Sequence, residues 1–173
     1  MAVEDGLLAA APTDRVSIGH APKNSVEKYR IPTMEQVNNL IQVCDSTGRD
    51  TLATMVILAA STGMRSSEVA GLRWRSIDRR RHIVRVVEQA TSSHTKGQPA
   101  GEARWAKLKT QSSRRDIPLP TATLQRLLQH RLKHRSSPDG PLFLTPSGKM
   151  WRSDNVSAAM APVSYTHLTL PTN

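Results

Sequence analysis

The stretch that decides the fold is LAASTGMRSSEVAGLRWRSID, residues 58–78. It contains the end of an apolar segment, Asp50–Ser61, whose hydrophobic residues lie on all sides of a helix, so we predict a buried central helix there. Gly63 follows at the position where a left-handed residue ends a helix. Ser66 is suited to cap a short further helix. Trp74 continues the apolar pattern, and we expect it to pack in the core.

A first helix is predicted upstream, because Thr33 and Gln36 have the spacing of a capping box. Apolar residues then follow at helical spacing, which predicts one buried face. They are Val37, Leu40, Ile41 and Cys44. Since Cys44 is the single cysteine, we expect a core residue there and neither a disulfide framework nor a thiolate metal site.

The periodicity changes after the decisive stretch. His82–Glu88 (HIVRVVE) and Lys107–Pro118 (KLKTQSSRRDIP) contain β-branched residues with alternating polarity, and a Gln-Ser-Ser turn lies inside the second segment. We therefore predict a small antiparallel sheet of two or three strands, with a loop at Thr91–Gly101 between its strands.

Helices return in the C-terminal part. The segment Thr121–Arg135 is predicted to place four leucines on one face, and a final short helix should start near Ser153, whose side chain can cap it. The order of elements predicts an α+β fold that is mainly helical with a small antiparallel β-sheet. The four leucines are Leu124, Leu127, Leu128 and Leu132.

Length and composition limit the class of protein. The 173 residues, 38% of them hydrophobic, allow one ordinary domain with a buried core. No apolar run approaches the length that spans a bilayer, and no signal-peptide pattern opens the chain. We expect a cytoplasmic protein with no membrane contact.

The charge is strongly basic, with 24 Lys and Arg against 14 Asp and Glu, a formal net charge of +10. Between Arg104 and Arg135 there are nine basic residues and one acidic residue, Asp116. Such a patch favours a polyanionic partner, because each neutralised phosphate releases counterions. Charge alone is a weak signal, because ribosomal proteins, repressors and membrane-surface proteins share it.

The decisive stretch resembles the first signature of tyrosine recombinases of the phage-integrase kind, in which a buried helix ends in Thr-Gly-x-Arg before x-x-Glu-hydrophobic and Leu-x-Trp. A second segment, Leu108–Pro120 (LKTQSSRRDIPLP), is similar to the family's Lys-Thr-x-x-Ser-x-Arg-x-hydrophobic-Pro-Leu hairpin. The motifs stand in the family's order, and the resemblance covers about residues 30–160. The matching residues of the first signature are Thr62, Gly63, Arg65, Glu68, Leu72 and Trp74.

The resemblance implies site-specific DNA recombination or integration, in which a tyrosine attacks a DNA phosphate, forms a 3′-phosphotyrosine bond and releases a 5′-hydroxyl. Arg65 matches the family arginine that holds the non-bridging oxygens, a role that suits a planar guanidinium. Lys109 matches the lysine that protonates the leaving 5′ oxygen as general acid. Glu68 is expected to orient the site rather than to react. The reaction needs no metal and no ATP.

Two lysines compete for the role of general acid. Lys107 stands two residues before Lys109, on the same face of the predicted strand, but the family's Lys-Thr pair favours Lys109. We expect Lys107, Arg114 and Arg115 to contact double-stranded DNA. Assembly as a homotetramer on DNA is implied by the resemblance.

The family's second signature is His-x-x-Arg at a helix start, followed by a His or Trp and the nucleophilic Tyr. His82 and Arg85 have the spacing, but they precede Lys109 and fall in a predicted strand, where positions i and i+3 face opposite sides. Of the two tyrosines, Tyr29 is far too early and Tyr165 lies near the end of the chain. We therefore expect this chain to have no strand-cleaving activity of its own.

Both ends of the chain differ from its centre. Met1–Ala11 resembles the last helix of the family's core-binding domain, so residues 1–29 are predicted to be the end of that domain and a linker. Residues 30–161 are predicted to be a partial catalytic domain. Val163–Thr172 (VSYTHLTLPT) contains no Lys, Arg, Asp or Glu and matches the translation of an adapter used in sequencing-library preparation. Residues 162–173 are therefore predicted to be a non-native tail.

Two other functions remain open at this point. Ser66–Arg75 (SSEVAGLRWR) could open the recognition helix of a non-catalytic helix-turn-helix regulator. That interpretation leaves the Lys109 hairpin unexplained and predicts a further closely spaced helix where a strand pattern begins at His82. An RNA-binding ribosomal accessory protein is supported by charge alone.

Overall fold

The computed structural model describes residues 32–92, 103–108, 110, 113–134 and 137–168, with the backbone alone at residues 92, 153 and 162–168. This part of the chain contains five α-helices and two small antiparallel sheets, which confirms the predicted α+β class. The helices are α1 (Met34–Ser46), α2 (Asp50–Thr62), α3 (Ser66–Ala70), α4 (Thr121–His134) and α5 (Ser153–Leu168), and a 3-10 turn spans Trp74–Ser76. The strands are β1 (Ile77–Asp78), β2 (Ile83–Val86), β3 (Glu88–Ser92), β4 (Ala103–Lys107) and β5 (Arg115–Pro118).

Helix α1 begins at the predicted capping box. The Gln36 backbone N–H donates to Thr33 Oγ1 at 3.2 Å, and the Thr33 backbone N–H donates to Gln36 Oε1 at 2.9 Å. The apolar face packs on α2, and Cys44 is fully buried in the core, as predicted.

Helix α2 is the central helix. Its buried residues lie on several sides, because α1 and α4 both pack against it. The helix ends at Gly63, whose φ of 65° places it in the predicted left-handed conformation. The buried residues are Leu52, Ala53, Thr54, Met55 and Leu58.

The sheet differs from the prediction in its continuity. The predicted strand His82–Glu88 divides at the exposed Val87, because β2 pairs with β1 and β5 whereas β3 pairs with β4. Of the segment Lys107–Pro118, which was predicted to contain a Gln-Ser-Ser turn, Lys107 ends β4 and Arg115–Pro118 form β5, whereas Gln111 and Ser112 lie outside the described part. One run of residues with alternating polarity therefore contributes strands to two sheets, because β2 and β3 pair with different strands. Of the predicted loop at Thr91–Gly101, the first two residues belong to β3 and residues 93–101 lie outside the described part.

The ribbon formed by β3 and β4 is fixed against the end of α3 through Gly71. A Cβ at Gly71 would lie 2.4 Å from the backbone nitrogen of Ala90, so a glycine is required for this close approach. The Trp105 indole Nε1–H donates to the Gly71 carbonyl at 2.9 Å, and the Arg73 guanidinium lies 3.7 Å from the Trp105 ring centroid. These contacts hold the ribbon that leads toward residues 108–114.

Two local predictions were wrong. Ser66 does not cap α3: it is the first helical residue, and the N-cap is Arg65, with extended backbone at φ −69° and ψ 152°. Leu132 does not face the core but is 79% exposed. Leu132 follows Leu124 by eight residues, which is about 80° more than two full turns of an α-helix. The two side chains therefore lie on different faces of the helix, and Leu132 lies in solvent. Trp74 is buried in the core, as predicted.

The C-terminal helix is longer than predicted. Helix α5 spans 16 residues and continues beyond residue 162, where we expected the native fold to end. The predicted non-native origin of residues 162–173 stays a prediction, and the predicted unit at residues 1–29 lies outside the described part. No helix in the described residues is long and apolar enough to cross a membrane.

Candidate active site

The candidate site is built around the carboxylate of Glu68, which lies in α3 with its side chain at 0% exposure. Oε2 accepts the backbone N–H of Arg65 at 2.8 Å and an N–H from Arg115 Nη2 at 2.8 Å. Oε1 accepts an N–H from Arg115 Nη1 at 3.0 Å. The buried carboxylate is therefore held by two parallel bonds from one guanidinium and one backbone donor, the geometry of a strong charge-assisted pair.

Arg115 reaches Glu68 because of the register between β2 and β5. Arg115 lies opposite Val86 and Ile117 opposite Val84, so these four residues share one face of the sheet. Val84 and Val86 are buried, so this face is the one toward the core. Arg115 lies at the end of this face, and its side chain contacts Glu68 in α3, 47 residues earlier in the sequence.

The pair keeps both groups ionised. Burial by itself raises the pKa of the Glu68 carboxyl, but the hydrogen bonds from Arg115 and from the Arg65 backbone outweigh it, and the pKa lies below its ordinary value. The hydrogen bond to Glu68 raises the pKa of Arg115 above its ordinary value. At neutral pH the site therefore contains a permanent ion pair.

Arg65 stands at the start of α3, two residues after the left-handed Gly63. Its guanidinium Nη1 lies 3.6 Å from Glu68 Oε1, and its side chain is 73% exposed. One edge of the guanidinium is thus oriented by Glu68 while the rest faces solvent. Because it is exposed and oriented, the guanidinium can donate two hydrogen bonds to a phosphate.

The structure brings together three of the residues singled out in the sequence, Arg65, Glu68 and Arg115. Lys109 lies outside the described residues. Next to it, the Ser113 backbone N–H donates to the Thr110 carbonyl at 3.2 Å. The exposed Lys107 and Arg114 do not join the cluster in the described part of the chain.

The contact between Arg115 and Glu68 is absent from the sequence interpretation, which assigned Arg115 to DNA alone. A signal for it was available. Glu68 is followed by Val69 and Ala70 in a predicted helix, and a carboxylate buried there requires a cationic partner. The identity of that partner depends on strand register and could not be deduced from spacing.

Residues 30–161 match the sequence model of the phage integrase family. The chain belongs to this family. The match covers most of the chain and confirms the family inferred from the two motifs.

Similar proteins agree with this assignment. The chain is 27% identical over 139 residues to a "Tyrosine recombinase XerC-like" protein of Caldanaerobacter subterraneus subsp. tengcongensis, covering 78% of this chain and 35% of that protein. It superimposes on the Tn1549 transposon integrase in complex with transposon right end DNA with a TM-score of 0.74 at 17% identity, covering 99% of this chain and 55% of that one. For XerA recombinase the TM-score is 0.57 at 14% identity, covering 82% and 44%. The chain thus spans about a third of the curated relative and about half of the integrase.

The strand register also explains where the His-x-x-Arg spacing of His82 and Arg85 lies. Arg85 lies opposite Asp116 in the β2–β5 pair, whereas its neighbour Val86 lies opposite Arg115, so Arg85 and Arg115 occupy opposite faces of the sheet. The Arg85 guanidinium instead lies 3.7 Å from each of Asp78 and Asp116. His82 belongs to the turn before β2. The helix-turn-helix interpretation required a helix at this point, and the structure has strand β2.

A second charged cluster lies at the start of α2. His134 Nε2 lies 3.1 Å from Asp50 Oδ2, Lys133 Nζ lies 3.6 Å from the same oxygen, and the buried His130 Nε2 lies 3.3 Å from Thr51 Oγ1. Among the described residues, no group of three His, Cys, Asp or Glu side chains is arranged to hold a metal ion.

A cavity of about 650 Å³ opens beside this second cluster. Its lining is largely apolar and shares no residue with the Arg65 cluster. The cavity therefore lies apart from the cluster of Arg65, Glu68 and Arg115. The lining includes Arg49, Leu52, Leu144, Pro146, Trp151 and Ala159.

Proposed function

We propose that this chain is the part of a site-specific tyrosine recombinase that binds double-stranded DNA and supplies the first catalytic arginine and the lysine. The observation that carries the proposal is the exposed Arg65 guanidinium, held beside the buried pair of Glu68 and Arg115. Family membership, the net charge of +10 and the likeness to an integrase described in complex with DNA support it.

The reaction assigned to the full-length protein is a transesterification. A tyrosine oxygen outside the motifs of this chain bonds to the scissile phosphorus, and the bond to the 5′ oxygen breaks. Arg65 stabilises the charge that gathers on the non-bridging oxygens. Lys109 donates its proton to the departing 5′ oxygen. The same steps in reverse rejoin the strands, with four copies assembled on two DNA sites.

DNA binding can be tested with the chain itself, by fluorescence anisotropy on a labelled duplex across a salt series. We expect weak binding with little sequence preference, and a linear fall of log affinity with log salt whose slope reports the number of phosphate contacts. A shuffled duplex of the same length serves as the control. Affinity that does not change with salt would contradict the proposed phosphate interface.

Catalysis is tested in a full-length recombinase that carries this segment, with a suicide DNA substrate and a denaturing gel. Arg65→Ala should abolish the covalent protein–DNA band while leaving DNA affinity nearly unchanged, because its partner is the charged transition state. The chain as given should form no such band. A band that disappears on Tyr165→Phe would show that this chain does have a nucleophile.

A DNA substrate whose leaving group needs no proton can identify the general acid. Lys109→Ala should slow cleavage of a normal substrate and be rescued by a 5′-phosphorothiolate, because the released thiolate departs unprotonated. Lys107→Ala is the matched control and should weaken binding without such rescue. If rescue follows Lys107, the two lysines exchange roles, and if neither variant is rescued the general-acid assignment fails.

A further inference from the structure

Arg115 joins the two sequence motifs of the site. It belongs to β5, six residues after Lys109 in the sequence, and its guanidinium binds Glu68 in α3, three residues after Arg65. Its Nη1 also donates to the Ser113 carbonyl at 3.1 Å, so the guanidinium contacts the hairpin and the helix together. Displacement of either motif would be transmitted to the other through this contact.

Two guanidinium groups lie near one carboxylate. Arg115 takes both oxygens of Glu68 at 2.8 and 3.0 Å, whereas Arg65 remains at 3.6 Å and mostly exposed. Without Arg115, the buried Glu68 would keep the backbone N–H of Arg65 as its remaining described donor. An unpaired buried carboxylate is costly, and Arg65 is the nearest described cation that could neutralise it.

We propose that Arg115 is a positioning residue for strand cleavage: by neutralising Glu68 it keeps the Arg65 guanidinium turned outward, where the scissile phosphate would bind. This inference rests on the proposed recombinase function. It assigns Arg115 a role beyond the DNA contact expected from the sequence, because both of its terminal nitrogens are engaged inside the protein.

The test compares Arg115→Gln with the exposed neighbour Arg114→Gln in a full-length recombinase that carries this segment. All variants are assayed at a temperature where circular dichroism shows them folded. At saturating DNA, Arg115→Gln should lower the cleavage rate by about tenfold or more and change DNA affinity by less than about twofold. Arg114→Gln should weaken binding, and at saturating DNA its cleavage rate should stay well above that of Arg115→Gln.

A second substrate separates positioning from general damage to the fold. A methylphosphonate at the scissile position replaces one non-bridging oxygen by a methyl group and removes the negative charge that Arg65 is proposed to hold. The deficit of Arg115→Gln should then shrink to less than about threefold, as should that of Arg65→Ala. A deficit of equal size on both substrates would overturn the proposal.

The double variant Glu68→Gln, Arg115→Gln removes the charge that would attract Arg65, and it leaves no unpaired ion to destabilise the fold. Its cleavage rate should exceed that of Arg115→Gln by about threefold or more, but stay below wild type because Glu68 also orients one edge of the Arg65 guanidinium. A double variant as slow as the single one, or slow when the single variant fails to fold, would contradict the proposed role.

If the wild-type recombinase forms no covalent complex, the proposed function fails. If it forms one and Arg115→Gln cleaves normally, the positioning role alone fails.

Discussion

Two carboxylates flank α2, Asp50 at its start and Glu68 in α3 beyond its end, yet the clusters around them differ in kind. The Asp50 side chain is 23% exposed and lies near Lys133 and His134, which are 66% and 36% exposed. Glu68 is fully buried and held by Arg115 in a bidentate pair. Exposed pairs are screened by water and salt, whereas a buried pair is costly to leave half-made. Burial therefore makes the Glu68–Arg115 pair the more costly of the two to break.

The clusters also differ in the charge state of their most buried ionisable side chain. At the start of α2 the most buried ionisable side chain is His130, 2% exposed, with Nδ1 lacking a hydrogen-bond partner among the described residues. Burial, followed by the positive charge of His134, lowers the pKa of His130 to about 4. Glu68 keeps its charge because Arg115 compensates for burial, whereas His130 has no such partner and stays neutral.

Removing the cation at each end should produce the largest contrast. Arg115→Gln leaves Glu68 buried and unpaired and should lower the free energy of unfolding by about 3 kcal/mol. Lys133→Gln, the matched change at Asp50, should cost less than about 1 kcal/mol. Urea denaturation of both variants at pH 7 measures the difference. Equal losses would mean that the burial of Glu68 has no energetic consequence.

The pH dependence of stability should arise at the start of α2. Since the folded pKa of His130 lies below the unfolded value, the unfolded chain binds more protons between the two, so stability falls as the pH drops from 7 toward 4. The loss between pH 7 and pH 5 should be about 2 kcal/mol. His130→Leu should remove most of it in urea titrations at both pH values. The pKa of Glu68 is lowered, so its pairing is lost in more acidic solution. A wild-type curve that is flat over this window would falsify the assignment.

The two left-handed glycines that flank α2 provide a matched pair. Gly48 and Gly63 have φ values of 72° and 65°, and a Cβ at either position would meet no atom within 4 Å. Each substitution by alanine should therefore cost a similar amount, about 1 kcal/mol, measured by thermal unfolding. Gly63→Ala alone should also slow DNA cleavage by a full-length recombinase, by about fivefold, because Gly63 directs the chain into Arg65. Equal cleavage rates for the two variants would show that this turn does not control the site.

The smallest expected effect is on DNA affinity. Arg114 is exposed and next to Arg115, whereas Lys133 lies near Asp50 at the other end of α2. Arg114→Gln should weaken duplex binding about threefold and reduce the salt slope by about one. Lys133→Gln removes the same charge and should change neither value appreciably. Anisotropy titrations of the chain itself measure both, and a larger effect at Lys133 would place the DNA on the other side of the molecule.

The features that the sequence predicted correctly depend on neighbours within a turn or two. The capping box of Thr33 and Gln36 and the left-handed Gly63 are local choices of backbone conformation. The burial of Cys44 follows from periodicity on one helix. The motif around Arg65 is also contiguous, and together with the motif at Leu108–Pro120 it identified the phage integrase family.

The arrangement of the site was decided by tertiary structure. Arg115 faces Glu68 because β5 pairs with β2 in a particular register, and a shift by one residue would turn Arg115 to the other face. The division of the strands at Val87 likewise depends on which strand pairs alongside. Residue order by itself predicted the helices, the capping box of α1, the left-handed Gly63 and the family of this protein. Only the packed fold decided which cation neutralises Glu68, because a buried charge takes its partner from whatever lies near it in space.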